Sequence, residues 1–157
     1  AAALEQRFPA QPLIPADPAQ RAQMEILQDW ADESLYWYEV YFRAEYDAAW
    51  DKLVRYLCEG RPAWEKPVLN VVARPQFRRS LRAQGIGRMD KVAVETRFST
   101  LLQALDTQLA GREWLVGESK TLADIAVASQ LHEILRTSHL AARIADSTNI
   151  SRWLQAL

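Results

Sequence analysis

The chain has 157 residues, 49% of them hydrophobic, which is enough for one domain with its own core. Its net charge of −1, from 19 basic and 20 acidic residues, gives the whole molecule no bias toward nucleic acid. The one cysteine excludes an internal disulfide and fits a reducing compartment, and no apolar run approaches the ~20 residues of a membrane span. We therefore predict a cytoplasmic protein that neither crosses a membrane nor binds nucleic acid.

The first 18 residues are predicted to be the end of a helix followed by a linker. Good helix formers occupy residues 1–7 from the start with no capping residue, which indicates the last two turns of a helix. The next stretch, residues 8–18, carries four prolines, which remove backbone donors and favour an extended chain. These are Pro9, Pro12, Pro15 and Pro18.

A long helical region is predicted from residue 19 to about residue 59, as one helix or two nearly collinear ones. It contains no Pro or Gly, and its apolar residues recur at helical spacing. The predicted inward stripe consists of Met24, Leu27, Ala31, Leu35, Tyr38, Phe42, Ala49 and Leu53. A second stripe, which predicts a second packing partner, consists of Ile26, Trp30, Trp37 and Tyr41. Residues 25–51 hold eight acids against Arg43 alone, so this region is strongly acidic.

A basic block follows the long helical region. Residues 60–62 (Gly-Arg-Pro) end the first helix, residues 63–73 are predicted to be helical again, and Pro75 forces a kink or a restart. The block itself has no acid between residues 74 and 89 and consists of Arg74, Arg78, Arg79, Arg82 and Arg88. It could bind an anion or nucleic acid, but the economical interpretation is a solvated face or a complement to the acidic region.

Gly85 is well placed to end the helix that carries this block. The pair Gly85 and Gly87 is too short for a dinucleotide fingerprint and does not follow a strand. Asp90 can then cap a helix that runs to about residue 110, with Gly111 beyond its end. The inward residues of that helix are predicted to be Val92, Phe98, Leu101, Leu102, Leu105 and Leu109.

The stretch from residue 117 to residue 135 predicts the central helix. The Thr121 hydroxyl can accept from the backbone N–H of Asp124, while the Asp124 carboxylate reaches back to the Thr121 N–H, which is a capping box. The helix behind it is apolar on most of its circumference and therefore belongs inside. A short segment at residues 140–144 and a last helix, capped by Thr148 or Asn149, complete an all-α chain.

The turn at Gly117 after Trp114-Leu115-Val116, followed by the capping box, resembles the C-terminal helical domain of glutathione transferases. The Pro-rich linker is similar to the one that joins this domain to a thioredoxin-like domain in that family. The resemblance implies a helical bundle at residues 19–157, preceded at residues 1–18 by the tail of a missing N-terminal domain and the linker. Residues 84–88 (Gln-Gly-Ile-Gly-Arg) also resemble, more loosely, the metaxin and failed-axon-connections branch.

The resemblance places thiol activation and most of the glutathione site in the N-terminal domain, so no catalytic residue is assigned here. Glutathione is the implied co-substrate, and the Arg block could contact its negative end from a neighbouring subunit. The family builds much of its hydrophobic substrate pocket from the first long helix, where aromatic walls with a hydroxyl or indole donor suit apolar electrophiles. The matching residues, for which core packing or a dimer interface is the alternative, are Trp30, Ser34, Trp37, Tyr38 and Tyr41.

No metal site is expected, because His132 and His139 have no Cys or second His at ligand spacing. The first of these is predicted to be a hydrogen-bonded core or interface histidine. Cys58 lies near a helix C-terminus, where the helix dipole disfavours a thiolate, so an unreactive thiol is predicted.

The resulting hypothesis is the C-terminal domain of a transferase that adds glutathione to an apolar electrophile, or reduces or isomerises a small substrate with it. The domain would supply one wall of the electrophile pocket and part of a homodimer interface, and the isolated chain would be inactive. The alternative is a non-catalytic transferase-like module for protein association.

Overall fold

The computed structural model describes residues 12–62 and 64–157, and within them the chain is helical without a strand. The predicted all-α class is thus confirmed. The predicted helix end at residues 1–7, and the linker up to residue 11, lie outside the described residues. The α-helices are α1 (Pro18–Trp30), α2 (Tyr36–Glu45), α3 (Asp47–Leu57), α4 (Glu65–Val68), α5 (Arg74–Gln84), α6 (Lys91–Gln108), α7 (Leu122–Thr137), α8 (Ala141–Ala145) and α9 (Thr148–Ala156).

The first long helical region begins as predicted and is interrupted once, at Tyr46. Asp17 caps α1 by accepting from the Gln20 N–H at 2.8 Å, and a π-helical segment, Ala31–Leu35, joins α1 to α2 without a break. The run then stops at Tyr46, whose backbone is extended (φ −112°, ψ 120°). No Pro or Gly marks this position. Of the two predicted forms, the single helix is wrong, because contacts of the Tyr46 side chain with distant residues hold a break, and a second helix, α3, continues to Leu57.

The inward stripe of this region is confirmed. Seven of its eight residues are buried, and Leu27 is half-buried against the same core. The second stripe is confirmed only in part, because Ile26 is 69% exposed while Tyr41 is 2% exposed. The difference arises because α1 uses one face to pack against α7 and leaves the face of Ile26 to solvent.

A second, smaller core lies between α3 and the helical run from α4 to α5. Trp50, Leu53, Val54 and Cys58 are its buried members, and Leu69 and Ala73 pack against them. The latter two belong to a π-helical segment, Leu69–Ala73, which links α4 to α5. Pro75 does not end this run, and it lies at the start of α5, directly after the π-helical segment. Gly85 ends that helix with a φ of 122°.

The charges of the basic block meet the acidic region at two points. Arg74 Nη2 lies 2.6 Å from Asp47 Oδ1, and its Nε donates to the Ala44 carbonyl at 3.0 Å. Arg78 Nε lies 3.4 Å from Glu45 Oε1. The predicted complementarity is thus confirmed for these two arginines, while Arg79, Arg82 and Arg88 are exposed.

The helix α6 begins at its predicted cap. The Asp90 carboxylate accepts from the Ala93 N–H at 2.9 Å. Val92, which was predicted to point inward, is 74% exposed, because the inward face begins at Val94 and continues through Phe98. A carboxylate of the same helix, Asp106, accepts from the backbone N–H groups that open α9.

The helix α7 is the central element, since it packs against α1, α2, α3 and α8. Its buried apolar residues are Ala123, Val127, Ala128, Leu131 and Ile134. Its remaining side reaches solvent, where Ile125 is 43% exposed. His132 also lies on that side and is exposed, so the core position predicted for it is wrong, while the interface position stays a prediction. No helix in the described part of the chain is long and apolar enough to cross a membrane.

Candidate functional site

The five predicted pocket residues occupy two different environments. Tyr38 and Tyr41 are 5% and 2% exposed and belong to the main core. The Tyr38 ring packs 5.6 Å from the Phe98 ring, and burial raises the pKa of both tyrosine hydroxyls. Trp30, Ser34 and Trp37 are half-buried, and the two indoles pack at the edge of the same core. The structure therefore leaves these last three with surface available to a ligand.

The π-helical segment at Ala31–Leu35 lies between the two indoles. A π-helical turn accommodates one extra residue and changes the direction of the side chains that follow it, and such turns are frequent at functional sites. Here the segment holds Ser34, while Ala31 and Leu35 remain fully buried. The backbone irregularity thus includes one of the five residues predicted from the resemblance, Ser34, and directly follows another, Trp30, although nothing in the local sequence signals it.

A partly buried charged cluster joins α2 to α7. Arg43 Nη2 lies 2.7 Å from Glu39 Oε1 and also pairs with Glu133 of α7, which Arg136 contacts at 3.1 Å. Glu39 is only 5% exposed, and burial raises the pKa of its carboxyl to about 7 against the opposing effect of Arg43. The sequence analysis counted Glu39 among the acidic residues and missed its burial. Its spacing of four from Leu35 and three from Phe42 places it beside the inward stripe, which was a usable signal.

A second polar cluster surrounds Tyr46, at the break between α2 and α3. The Tyr46 hydroxyl donates to Glu95 Oε1 at 2.6 Å, and His139 Nε2 lies 2.9 Å from the same oxygen. The hydrogen bond from Tyr46 is the main cause that lowers the pKa of the Glu95 carboxyl, and burial together with Glu95 raises the pKa of Tyr46. Lys91 Nζ stands 4.6 Å from the centre of the Tyr46 ring. Tyr46 and His139 also line a cavity of about 290 Å³.

The Asp124 carboxylate organises the start of α7. Its Oδ2 accepts from the Thr121 N–H at 2.8 Å and from the Thr121 hydroxyl at 2.9 Å. Its Oδ1 accepts from the Leu115 N–H at 2.8 Å and from the Trp153 indole at 2.9 Å. The predicted capping box is present, but the same side chain also fixes the preceding turn and the last helix. Since Asp124 is fully buried, this carboxylate serves folding rather than chemistry.

The capping box and its surroundings agree with a comparison against protein families. The family described as "Glutathione S-transferase, C-terminal domain" matches residues 70–157, which is more than half of the chain. The chain belongs to this family. No curated protein and no solved structure matched it.

The linker meets the glutathione transferase C-terminal domain at the start of α7. The Leu122 N–H donates to the Leu13 carbonyl at 3.1 Å, which satisfies a donor in the first turn of that helix. A cavity of about 330 Å³ lies between residues 12–16 and residues 116–121, and its charged wall residues are Glu118 and Lys120. Lys120 also donates to the Leu157 carbonyl at 3.1 Å.

The described residues contain no group of three or more His, Cys, Asp or Glu side chains that could hold a metal ion. Cys58 is 6% exposed in the second core, where a small electrophile has little access to its sulfur. The chemistry that the described residues can supply is therefore recognition of an apolar molecule by aromatic walls, with glutathione as the co-substrate that the family implies.

Proposed function

We propose that this domain supplies one wall of the hydrophobic substrate pocket of a glutathione-dependent transferase, formed by Trp30, Ser34 and Trp37. Glutathione itself binds mainly to a thioredoxin-like domain outside this sequence, and the complete protein transfers it to an apolar electrophile. The protein acts as a homodimer in the cytoplasm, and the 157-residue chain alone is inactive.

The observation that carries this proposal is the coincidence of the π-helical segment with two half-buried indoles in a chain of this family. Trp30 and Trp37 offer apolar surface at the rim of a packed core, and Ser34 lies between them on the segment. Tyr38 and Tyr41 support the wall from inside the core rather than contact the substrate. Aromatic faces beside a hydroxyl bind apolar electrophiles without needing a charge.

Calorimetric titration of glutathione and of S-hexylglutathione into the 157-residue chain tests the proposal. We expect no measurable binding of glutathione and weak binding of the hexyl compound, because the chain provides the apolar wall alone. Trp37→Ala should weaken the binding of the hexyl compound by about tenfold, which corresponds to the loss of one aromatic contact of about 1–1.5 kcal/mol.

The matched control is Tyr56→Ala, since Tyr56 is an aromatic residue of α3 that is 54% exposed. Equal effects of the two substitutions, or none from either, would remove Trp37 from the pocket. Tight binding of glutathione by the wild-type chain would contradict the proposed division between the two domains.

A second function is favoured by an exposed apolar face on α4 and the segment after it. Trp64, Val68, Val71 and Val72 are 65%, 45%, 72% and 63% exposed, an unusual group of large apolar side chains to leave in water. We propose, as the alternative, a non-catalytic module that associates with protein through this face. If the chain self-associates through this face, Val71→Asp should lower its sedimentation coefficient. A chain that is monomeric both with and without the substitution would contradict self-association.

A further inference from the structure

The helical run from α4 to α5 packs against the rest of the domain on one side only. Leu69 and Ala73 of its π-helical segment pack on the second core, and Leu81 of α5 is fully buried in the main core. These three residues mark the inward side, because residues about four positions apart lie on the same face of a helix. The opposite side of the run faces solvent over its whole length, roughly 30 Å.

The solvent side of the run is apolar in its first half and basic in its second half. The first half carries the exposed apolar face already described, which consists of Trp64, Val68, Val71 and Val72. About two turns further along the run, Arg79 and then Arg82 are also exposed. One surface of the molecule therefore presents apolar side chains and cations next to each other.

The cations of this surface have no acidic partner in the described part of the chain. Two arginines of the basic block, Arg74 and Arg78, pair with carboxylates of the acidic region. The other three, Arg79, Arg82 and Arg88, are exposed and form no ion pair with a described residue. Since the whole chain has a net charge of −1, this uncompensated positive charge is local to the run and the turn after it.

We infer that the solvent side of the run is a docking surface for a bilayer that contains anionic lipids. The run lies flat on the bilayer, Trp64 and the valines enter the boundary between headgroups and acyl chains, and the arginines contact lipid phosphates. A tryptophan suits that depth because its ring is apolar while its indole N–H can bond to headgroups or water. A protein partner, the alternative function above, accounts for the apolar half, whereas an anionic bilayer accounts for both halves.

Co-sedimentation of the 157-residue chain with vesicles tests this inference. The probes are vesicles of phosphatidylcholine alone and vesicles that also contain about 30% phosphatidylserine. We expect the partition coefficient to be on the order of tenfold higher on the phosphatidylserine vesicles, because several arginines each gain attraction to the anionic surface. The same coefficient should fall as the salt concentration rises, since salt screens these exposed charges.

Val71→Asp tests the apolar half of the surface. It should weaken binding to both kinds of vesicle by about tenfold, because a carboxylate then replaces a side chain that enters the bilayer. Ile26→Asp is the matched control, since it makes the same change of charge at a residue that is 69% exposed on α1, which packs against α7. Val71 is 72% exposed, so neither substitution disturbs the core.

Arg79→Gln tests the basic half. It should weaken binding to the phosphatidylserine vesicles by about fivefold and leave binding to phosphatidylcholine unchanged. Arg112→Gln, which removes an exposed arginine outside the basic block, should have no such effect.

Equal binding to the two kinds of vesicle, or equal effects of Val71→Asp and Ile26→Asp, would overturn the inference. Binding that Arg79→Gln weakens and Val71→Asp does not would show a site for polyanions instead of a membrane surface. A lipid-free dimer that Val71→Asp dissociates, and that does not sediment with vesicles, would assign the apolar face to a second copy of the chain.

Discussion

Two buried carboxylates of this domain have opposite environments. Asp124, at the start of α7, is fully buried and accepts four hydrogen bonds from three residues. Glu39, in the middle of α2, is 5% exposed and is bonded to one guanidinium group. The donors around Asp124 replace water, whereas Glu39 is left with a pKa raised to about 7. The two side chains thus contribute differently to the fold, because four hydrogen bonds hold Asp124 while one guanidinium group contacts Glu39.

The first prediction tests this difference by removing the Asp124 carboxylate, which all of these donors share. Asp124→Ala should lower the free energy of unfolding by about 3–4 kcal/mol, because it leaves buried N–H and O–H donors without a partner. Loss of a helix cap alone would cost only about 1 kcal/mol. Urea denaturation measures the difference, with Thr121→Ala as the control that removes one hydroxyl from the same site. If Asp124→Ala lowered the free energy of unfolding no more than Thr121→Ala, Asp124 would act only as an ordinary helix cap.

The second prediction concerns the pH dependence that Glu39 contributes. Its pKa is raised from 4.5 to about 7 in the folded protein, so the folded state binds more protons than the unfolded state between these values. Stability from this group is therefore complete below about pH 4.5 and is lost as the pH rises to about 7, by about 1–3 kcal/mol.

Glu39→Gln should flatten this part of the curve of unfolding free energy against pH, measured in urea between pH 4.5 and 8. The exposed Glu33 provides the matched control, and Glu33→Gln should leave the slope unchanged. The same slope in wild type and Glu39→Gln would show that Glu39 stays ionised in the folded state.

A third prediction extends the comparison to a capping carboxylate of intermediate exposure. Asp106 accepts from the Asn149 N–H at 2.8 Å and from the Ile150 N–H at 3.0 Å, so it caps α9 from another helix. Asp106→Ala should cost about 1–2 kcal/mol, since water can reach part of this site and replace the lost acceptor. The thermal midpoint of Asp90→Ala, which removes a cap within its own helix, gives the reference. If Asp106→Ala lowered the thermal midpoint less than Asp90→Ala, a cap from another helix would not contribute more than a cap within its own helix.

The features that the sequence predicted well depend on neighbouring residues. The cap at Asp90 and the capping box of Thr121 and Asp124 each involve residues that are three positions apart. The inward stripe of the first long helical region follows from helical spacing alone. These signals need no knowledge of the tertiary structure. The central helix and the helical class could therefore be predicted before the structure was known.

The features that the sequence missed depend on residues far apart in the chain. The break at Tyr46 is held by Glu95 and the ring of His139, and the cap of α9 comes from Asp106 rather than from Thr148 or Asn149. The sequence predicted that Val92 points inward, but packing between distant parts of the chain makes Val94 the first inward residue of α6. For the candidate pocket, residue types indicated aromatic walls, but only the folded helix separated the buried tyrosines from the half-buried indoles.

The hydrogen bond between the Trp153 indole and Asp124 also bears on the order of events during protein synthesis. The carboxylate is made 29 residues before the indole that completes its set of donors. A growing chain that has not yet reached Trp153 can form helices from local signals, yet it holds a buried acid with one of its partners missing. The domain therefore reaches its native packing only after Trp153 has been synthesised, and a ribosome that stalls before this tryptophan leaves a chain exposed to chaperones and proteases.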